Sequence, residues 1–275
     1  MQRVNTNSSD ICRQLESWYE KPAGQHLAAQ EKLLVGQQLD RVFGYRLLQL
    51  GITRNHPLGE YTRLDHRIYS APCPGAAVDM LIEPDSLPFS NDSIDVVLLH
   101  HALEFAENPH ALLREAHRVL APQGHILILG FNPLSLFGIR LGIGRYWLGS
   151  CWRGARPMGI WRLRDWLRLL GTEVQSVRHS YALPPIGGER LFRYLRQSDR
   201  FLARHNVPIG GLYAIRARKQ VSPLTPARLR WQKSMGSKLI GLTAPKPTPS
   251  SSVLPHQYAS FRRAGQSRRQ GAARR

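Results

Sequence analysis

The chain is expected to fold as an α/β domain on a mostly parallel sheet, and the stretch 78–132 carries the reasons. VDMLIE (78–83), DVVLLH (95–100) and HILILGF (125–131) are three apolar runs of buried-strand length. The second is apolar at nearly every position, which suits a strand covered on both faces. Between the last two lies a helix with readable limits: Asn108 as N-cap, Pro109 at the first helical position and Pro122-Gln123-Gly124 as the stop. Its apolar residues Leu112, Leu113, Ala116, Val119 and Leu120 recur every three or four positions, leaving Arg114, Glu115, His117 and Arg118 toward water or the helix ends. Strand, crossover helix and parallel strand make one βαβ unit.

The other elements follow in order. Residues 10–44 read as one or two helices, the second with Leu27, Leu33, Leu34, Leu39, Val42 and Phe43 at roughly helical spacing and Gly44 as its stop. YRLLQLGIT (45–53) is a first strand with its exit loop, HPLGEYTRL (56–64) a short helical stretch and HRIYSA (66–71) a second strand. RLRDWLRLLG (162–171) is an amphipathic helix ended by Gly171, and TEVQSVRHSY (172–181) alternates like a strand. ERLFRYLRQSDRFLARH (189–205) is a further helix, whose arginine row reads as a solvated face or an anion-binding ridge. GGLYAIRARK (210–219) closes the pattern as a last strand.

At 275 residues the chain can bury one full α/β core, with too little left for a second domain of similar size. No apolar run approaches the ~20 residues that span a bilayer. The polar start, MQRVNTNSSDICRQ, lacks the apolar segment of a secretion signal, so a cytoplasmic location is expected. Cys12, Cys73 and Cys151 are sparse and odd in number, which argues for free thiols. Residues 220–275 hold eleven of the 38 Lys and Arg and no Asp or Glu, so much of the net charge of +19 sits in a tail. Rich in Pro, Ser and Arg, this tail is expected to be disordered, and it could hold nucleic acid or an anionic membrane without base specificity.

From Asp85 to Gly124 the resemblance becomes specific. DSLPFSNDSIDVVLLHHALEF, followed by NPHALLREAHRVLAPQGHILILGFN, is similar to the middle of a class I S-adenosylmethionine-dependent methyltransferase of the methyltransferase type 11 family. That family places Leu-Pro-Phe after the third strand and Ser-hydrophobic-Asp at the start of the fourth. A Leu-Glu pair follows the fourth strand, and Leu-Arg-Glu and Arg-Val-Leu-x-Pro-x-Gly lead to the fifth. The continuation GFNPLSLFG is similar to a proteobacterial branch of methyltransferase-like proteins. The resemblance implies a Rossmann-like fold with a seven-stranded, mostly parallel sheet, an antiparallel last strand and helices on both faces. It also implies a helical cap over 1–44, a methyltransferase domain over 45–219 with a lid or substrate insertion at 130–161, and S-adenosylmethionine as cofactor.

The same resemblance assigns residues. The exit of the first strand, with Gln49 where an acid is common and Gly51 in the loop, would pass the methionine part of the cofactor. Ile52, Thr53, Arg54 and Asn55 stand where further glycines are usual. No carboxylate ends the second strand, so ribose recognition falls to Ser70, backbone groups or water. The adenine-contacting acid is Glu83 or, with a register slip, Asp85 followed by Ser86 and Leu87; Pro84 has no N–H to give. His100 and His101 end the fourth strand, where open α/β sheets bind ligands, and are candidates for a general base, for packing beneath the cofactor or for holding a loop. No third His, Cys or carboxylate stands near them at metal-ligand spacing, so no metal is expected. Phe131, Asn132, Phe137, Tyr146, Trp147 and Trp152 are candidate contacts for the acceptor, a small molecule or a nucleic-acid-associated group, or else a lid packed on its own aromatics or a patch that meets a partner or membrane surface.

Two functions remain open at this point. One is transfer of a methyl group to an unidentified acceptor. The other is a catalytically inactive binding or scaffold protein, favoured by the departures in the glycine loop and at the ribose position. No Gly-x-Gly-x-x-Gly follows any strand, which disfavours a dinucleotide-dependent dehydrogenase.

Overall fold

A computed structural model describes residues 6–53, 57–75, 77–82, 85–135, 137–139, 152, 154–180 and 210–220, all within a compact unit spanning Met1–Leu224. The helix expected at 189–205, the tail from 221 onward, Glu83, Pro84, Tyr146, Trp147 and Cys151 lie outside the described residues.

Seven strands form one sheet: β1 (Arg46–Leu50), β2 (His66–Ala71), β3 (Met80–Leu81), β4 (Ile94–His100), β5 (Leu120–Phe131), β6 (Thr172–Ser180) and β7 (Leu212–Lys219). Their order is β3-β2-β1-β4-β5-β7-β6. The first five pair in parallel, and β7 runs antiparallel to both its neighbours. The helices are α1 (Thr6–Tyr19), α2 (Pro22–Leu39), α3 (Ala102–Phe105), α4 (Pro109–Val119) and α5 (Ile160–Leu169), with a 3₁₀ turn at Gly59–Tyr61. Among the described residues no helix is long and apolar enough to cross a membrane.

Because side chains alternate along a strand, β4 feeds two cores. Val96 and Leu98 pack with Leu27, Leu34 and Val35 of α2, while Val97 and Leu99 pack with Leu112, Leu113 and Ala116 of α4 and Leu163 and Leu167 of α5. The limits of α4 follow the sequence reading: the Asn108 side chain accepts from the Ala111 N–H at 3.1 Å and Pro109 opens the helix. Its far end differs, since β5 already begins at Leu120 and crosses the Pro122–Gly124 turn with a register irregularity against β4. The second helix also stops earlier than Gly44 suggested. It ends at Leu39, and two residues counted on its apolar stripe, Leu33 and Phe43, are 59% and 80% exposed.

The Asp of the Ser-Ile-Asp sequence ties two central strands together. Asp95 Oδ2 accepts from the Tyr45 and Arg46 N–H groups at 2.8 and 2.9 Å, holding the start of β1 against β4. Asp95→Ala is expected to lower the unfolding free energy by about 1–2 kcal/mol in urea titrations, because two backbone donors lose a charged acceptor near the surface. A change within error would assign those donors to solvent.

Cys12 and Cys73 are joined in a disulfide, which corrects the expectation of free thiols for this pair. The sequence separation of 61 hid their proximity; α1 crosses near the end of β1, where the Cys12 sulfur also lies 3.5 Å from the Ile52 carbonyl. The N-terminal helices are thereby held to the carboxyl edge of the sheet.

Candidate active site

The strand order reverses between β1 and β4, and it is at such a switch point that open α/β sheets bind ligands. Register brings the tips level there. Leu50 lies opposite both Ser70 and Leu99, and Ala71 lies opposite Leu81, so Gly51, Ala71, Leu81 and His100 stand level along the carboxyl edge. The Gly51 N–H donates to the Ser70 carbonyl at 2.8 Å, and the His101 N–H donates to the Leu129 carbonyl at 3.0 Å. A side chain at 51 would meet the Tyr69 ring at 3.1 Å, so glycine keeps this loop low.

His100 and His101 are both fully buried, and each meets the same carboxylate. Glu31 of α2 lies 3.2 Å from His100 Nε2 through Oε2 and 3.1 Å from His101 Nε2 through Oε1. The Tyr19 hydroxyl donates to Glu31 Oε1 at 3.0 Å. His101 Nδ1 is 2.6 Å from Glu104 Oε2, while Glu104 Oε1 accepts from the Phe131 N–H at 2.6 Å. His101 stacks on Phe131 with ring centroids 4.1 Å apart, and Trp152 closes over both. Its backbone sits in the left-handed region at φ +53°, a conformation a non-glycine residue holds only when its surroundings enforce it.

Electrostatics follow from this geometry. Burial alone would depress the His101 pKa, but Glu104 and Glu31 outweigh it and raise it to about 9. With both ring nitrogens facing carboxylates, His101 is an imidazolium. Burial works against Glu31 as well, yet His100 and His101 hold its carboxyl well below the usual range. His100 shifts downward because burial prevails there, and its Nδ1 has no hydrogen-bond partner among the described residues. Tyr19 is raised well above its ordinary value by burial and by Glu31.

The turn before β4 is held from behind. Arg118 of α4 donates to the Leu87 and Phe89 carbonyls, both at 2.9 Å, and to Asn91 Oδ1 at 2.7 Å. Its partner Glu115 accepts from the Leu87 N–H at 3.2 Å. Sequence periodicity placed both residues toward water or the helix ends; near the far end of α4 they hold residues 87–91 from below. Asp85 and Ser86 stay exposed on that loop, whereas Leu87 is buried.

Residues 70–128 match the methyltransferase domain family. The uncharacterized protein YafS of Escherichia coli is 30% identical over 219 residues, covering 80% of this chain and 87% of that protein. The chain belongs to the class I S-adenosylmethionine-dependent methyltransferase family. Its fold is shared by a SAM-dependent methyltransferase from Thermotoga maritima described as a possible histamine N-methyltransferase (TM-score 0.55, 17% identity, covering 74% of this chain and 94% of that one). It is shared too by a chain of the complex between the Haloferax volcanii Trm112 methyltransferase activator and the putative methyltransferase (TM-score 0.53, 15% identity, 77% and 98% covered).

The structure brings Gly51, Ser70 and the His100–His101 pair to one edge of the sheet, while Asp85 and Ser86 lie exposed between β3 and β4. Gln49 is engaged elsewhere: its Oε1 accepts from the Leu58 N–H at 2.8 Å, holding the segment after the β1 exit. Phe131 and Phe137 are buried in the core on the α2 side. Asn132 bonds the Gly210 carbonyl and the Leu134 N–H, and so organises the turn after β5. Glu31 was missed entirely. The signal was present: Leu27, Glu31, Leu34, Val35 and Gln38 recur at positions i, i+4, i+7, i+8 and i+11, which puts a carboxylate in the middle of a buried stripe.

Proposed function

We propose that the chain transfers a methyl group from S-adenosylmethionine bound across the tips of β1, β2, β3 and β4. The observation that carries this reading is the level register of those tips at the point where the strand order reverses. The residues present fit the cofactor at two places. Gly51 leaves backbone at the β1 exit without a side chain of its own, and Asp85 and Ser86 form an exposed turn between β3 and β4 that offers a carboxylate. At the end of β2 the ribose carboxylate is replaced by Ser70 and by backbone.

When bound, S-adenosylmethionine supplies a methyl group activated on a sulfonium. The contribution of the chain is proximity and orientation: Gly51 would line the methionine part, Asp85 would accept from the adenine amino group, and the Glu31 cluster would keep the β4 tip rigid. The acceptor would be a small molecule or a nucleic-acid-associated group.

Isothermal titration of the full chain with S-adenosylmethionine tests this reading. Saturable binding that Gly51→Leu abolishes is expected. A chain inert to the cofactor at millimolar concentration would instead favour the binding-module reading that the replaced ribose carboxylate and the engaged Gln49 support.

A further inference from the structure

Glu31, His100, His101 and Glu104 meet beneath the tip of β4, and no step of methyl transfer needs their donor chemistry. We propose that Glu31, His100 and His101 are the protein donors of a divalent transition-metal site, of the kind that zinc fills.

The donor set is the first argument. Two imidazole nitrogens and a carboxylate, their ligand atoms all within 4.8 Å of one another, come from a helix and a strand end that are each rigidly packed. Imidazole suits zinc and its first-row neighbours, whereas calcium and magnesium take oxygen donors. Glu31 turns one oxygen to each ring, 3.2 Å from His100 Nε2 and 3.1 Å from His101 Nε2, so its carboxylate already faces both nitrogens.

The surroundings are the second. Glu104 takes the Nδ1 side of His101 at 2.6 Å and is itself anchored by the Phe131 N–H, the carboxylate–histidine arrangement that orients a metal ligand and raises its basicity. Tyr19 anchors Glu31 in the same way. His100 lacks such an acceptor on Nδ1, so it is the weakest of the three donors.

The experiment uses the full chain, freed of any affinity tag, stripped with chelator and then titrated with zinc, with bound metal read by plasma mass spectrometry. About one equivalent is expected to remain after dialysis, in a shell of imidazole and carboxylate donors by X-ray absorption. Glu104→Gln is expected to weaken zinc binding by about 10–100-fold. Glu31→Gln is expected to weaken it more, and His101→Ala more than His100→Ala. Absence of retained zinc, a sulfur-containing or all-oxygen shell, or an affinity unchanged in folded Glu31→Gln protein would overturn the proposal. Should Glu31→Gln fail to fold, the ligand shell of the wild-type protein decides alone. None of these readouts involves S-adenosylmethionine, so failure here is distinguishable from failure of the methyl-transfer reading.

Discussion

Replacing Glu31 with alanine is expected to destabilise the fold by about 3–5 kcal/mol, the cost of removing one partner from a buried ionic cluster. The carboxylate is fully buried and accepts from Tyr19, His100 and His101 together. Its loss strands a buried imidazolium against Glu104 alone, leaves the Tyr19 hydroxyl without its acceptor and opens a cavity between α2 and the sheet. Urea unfolding at pH 7 measures the effect directly. Because α2 packs on β1, β4 and β5 through the same core, one cooperative transition is expected rather than local fraying of the N-terminal helices. A loss under 1 kcal/mol would mean that water or rearrangement already satisfies the histidines.

Arg118→Ala is expected to act on two readouts at once. The guanidinium holds the Leu87 and Phe89 carbonyls, Asn91 and Glu115, and hydrogen bonds to charged groups contribute about 1.5–3 kcal/mol. Part of that should appear as lost stability. The rest should appear as weakened cofactor binding, on the order of tenfold, because the Asp85–Ser86 turn must then be ordered by the ligand itself. Calorimetric affinity and urea midpoint, measured on the same preparation, separate the two. Unchanged affinity together with lowered stability would remove the 85–91 loop from the cofactor site.

Local periodicity made much of the sheet legible. HRIYSA and GGLYAIRARK were recognisable as strands because their apolar content and flanking breakers agree, and β2 (His66–Ala71) matches its expected limits. What periodicity cannot show is which polar residues a buried face carries. Glu31 was passed over because the stripe on α2 was counted in apolar residues alone, and the same counting admitted Leu33 and Phe43, which point to solvent. Arg118 and Glu115 were read as facing water or the helix ends, with no role, because a helix pattern records faces, not the loop that folds back beneath one of them. Cys12 and Cys73 are 61 residues apart, and only the path of α1 over the carboxyl edge of the sheet brings them together. The histidine pair was noticed at the right strand end, but its partners come from α2 and α3, and no spacing within 100–101 encodes that.

Methyl transfer by this chain requires the strand tips to form one cofactor site, and a crystal structure with S-adenosylhomocysteine tests this most directly. The expected result is ligand density along the carboxyl edge, with the adenine beside Asp85 and Ser86, the sulfur near Gly51 and the β4 tip, and the Glu31–His101–Glu104 contacts intact. Density elsewhere, or an edge filled by protein side chains at saturating ligand, would contradict it.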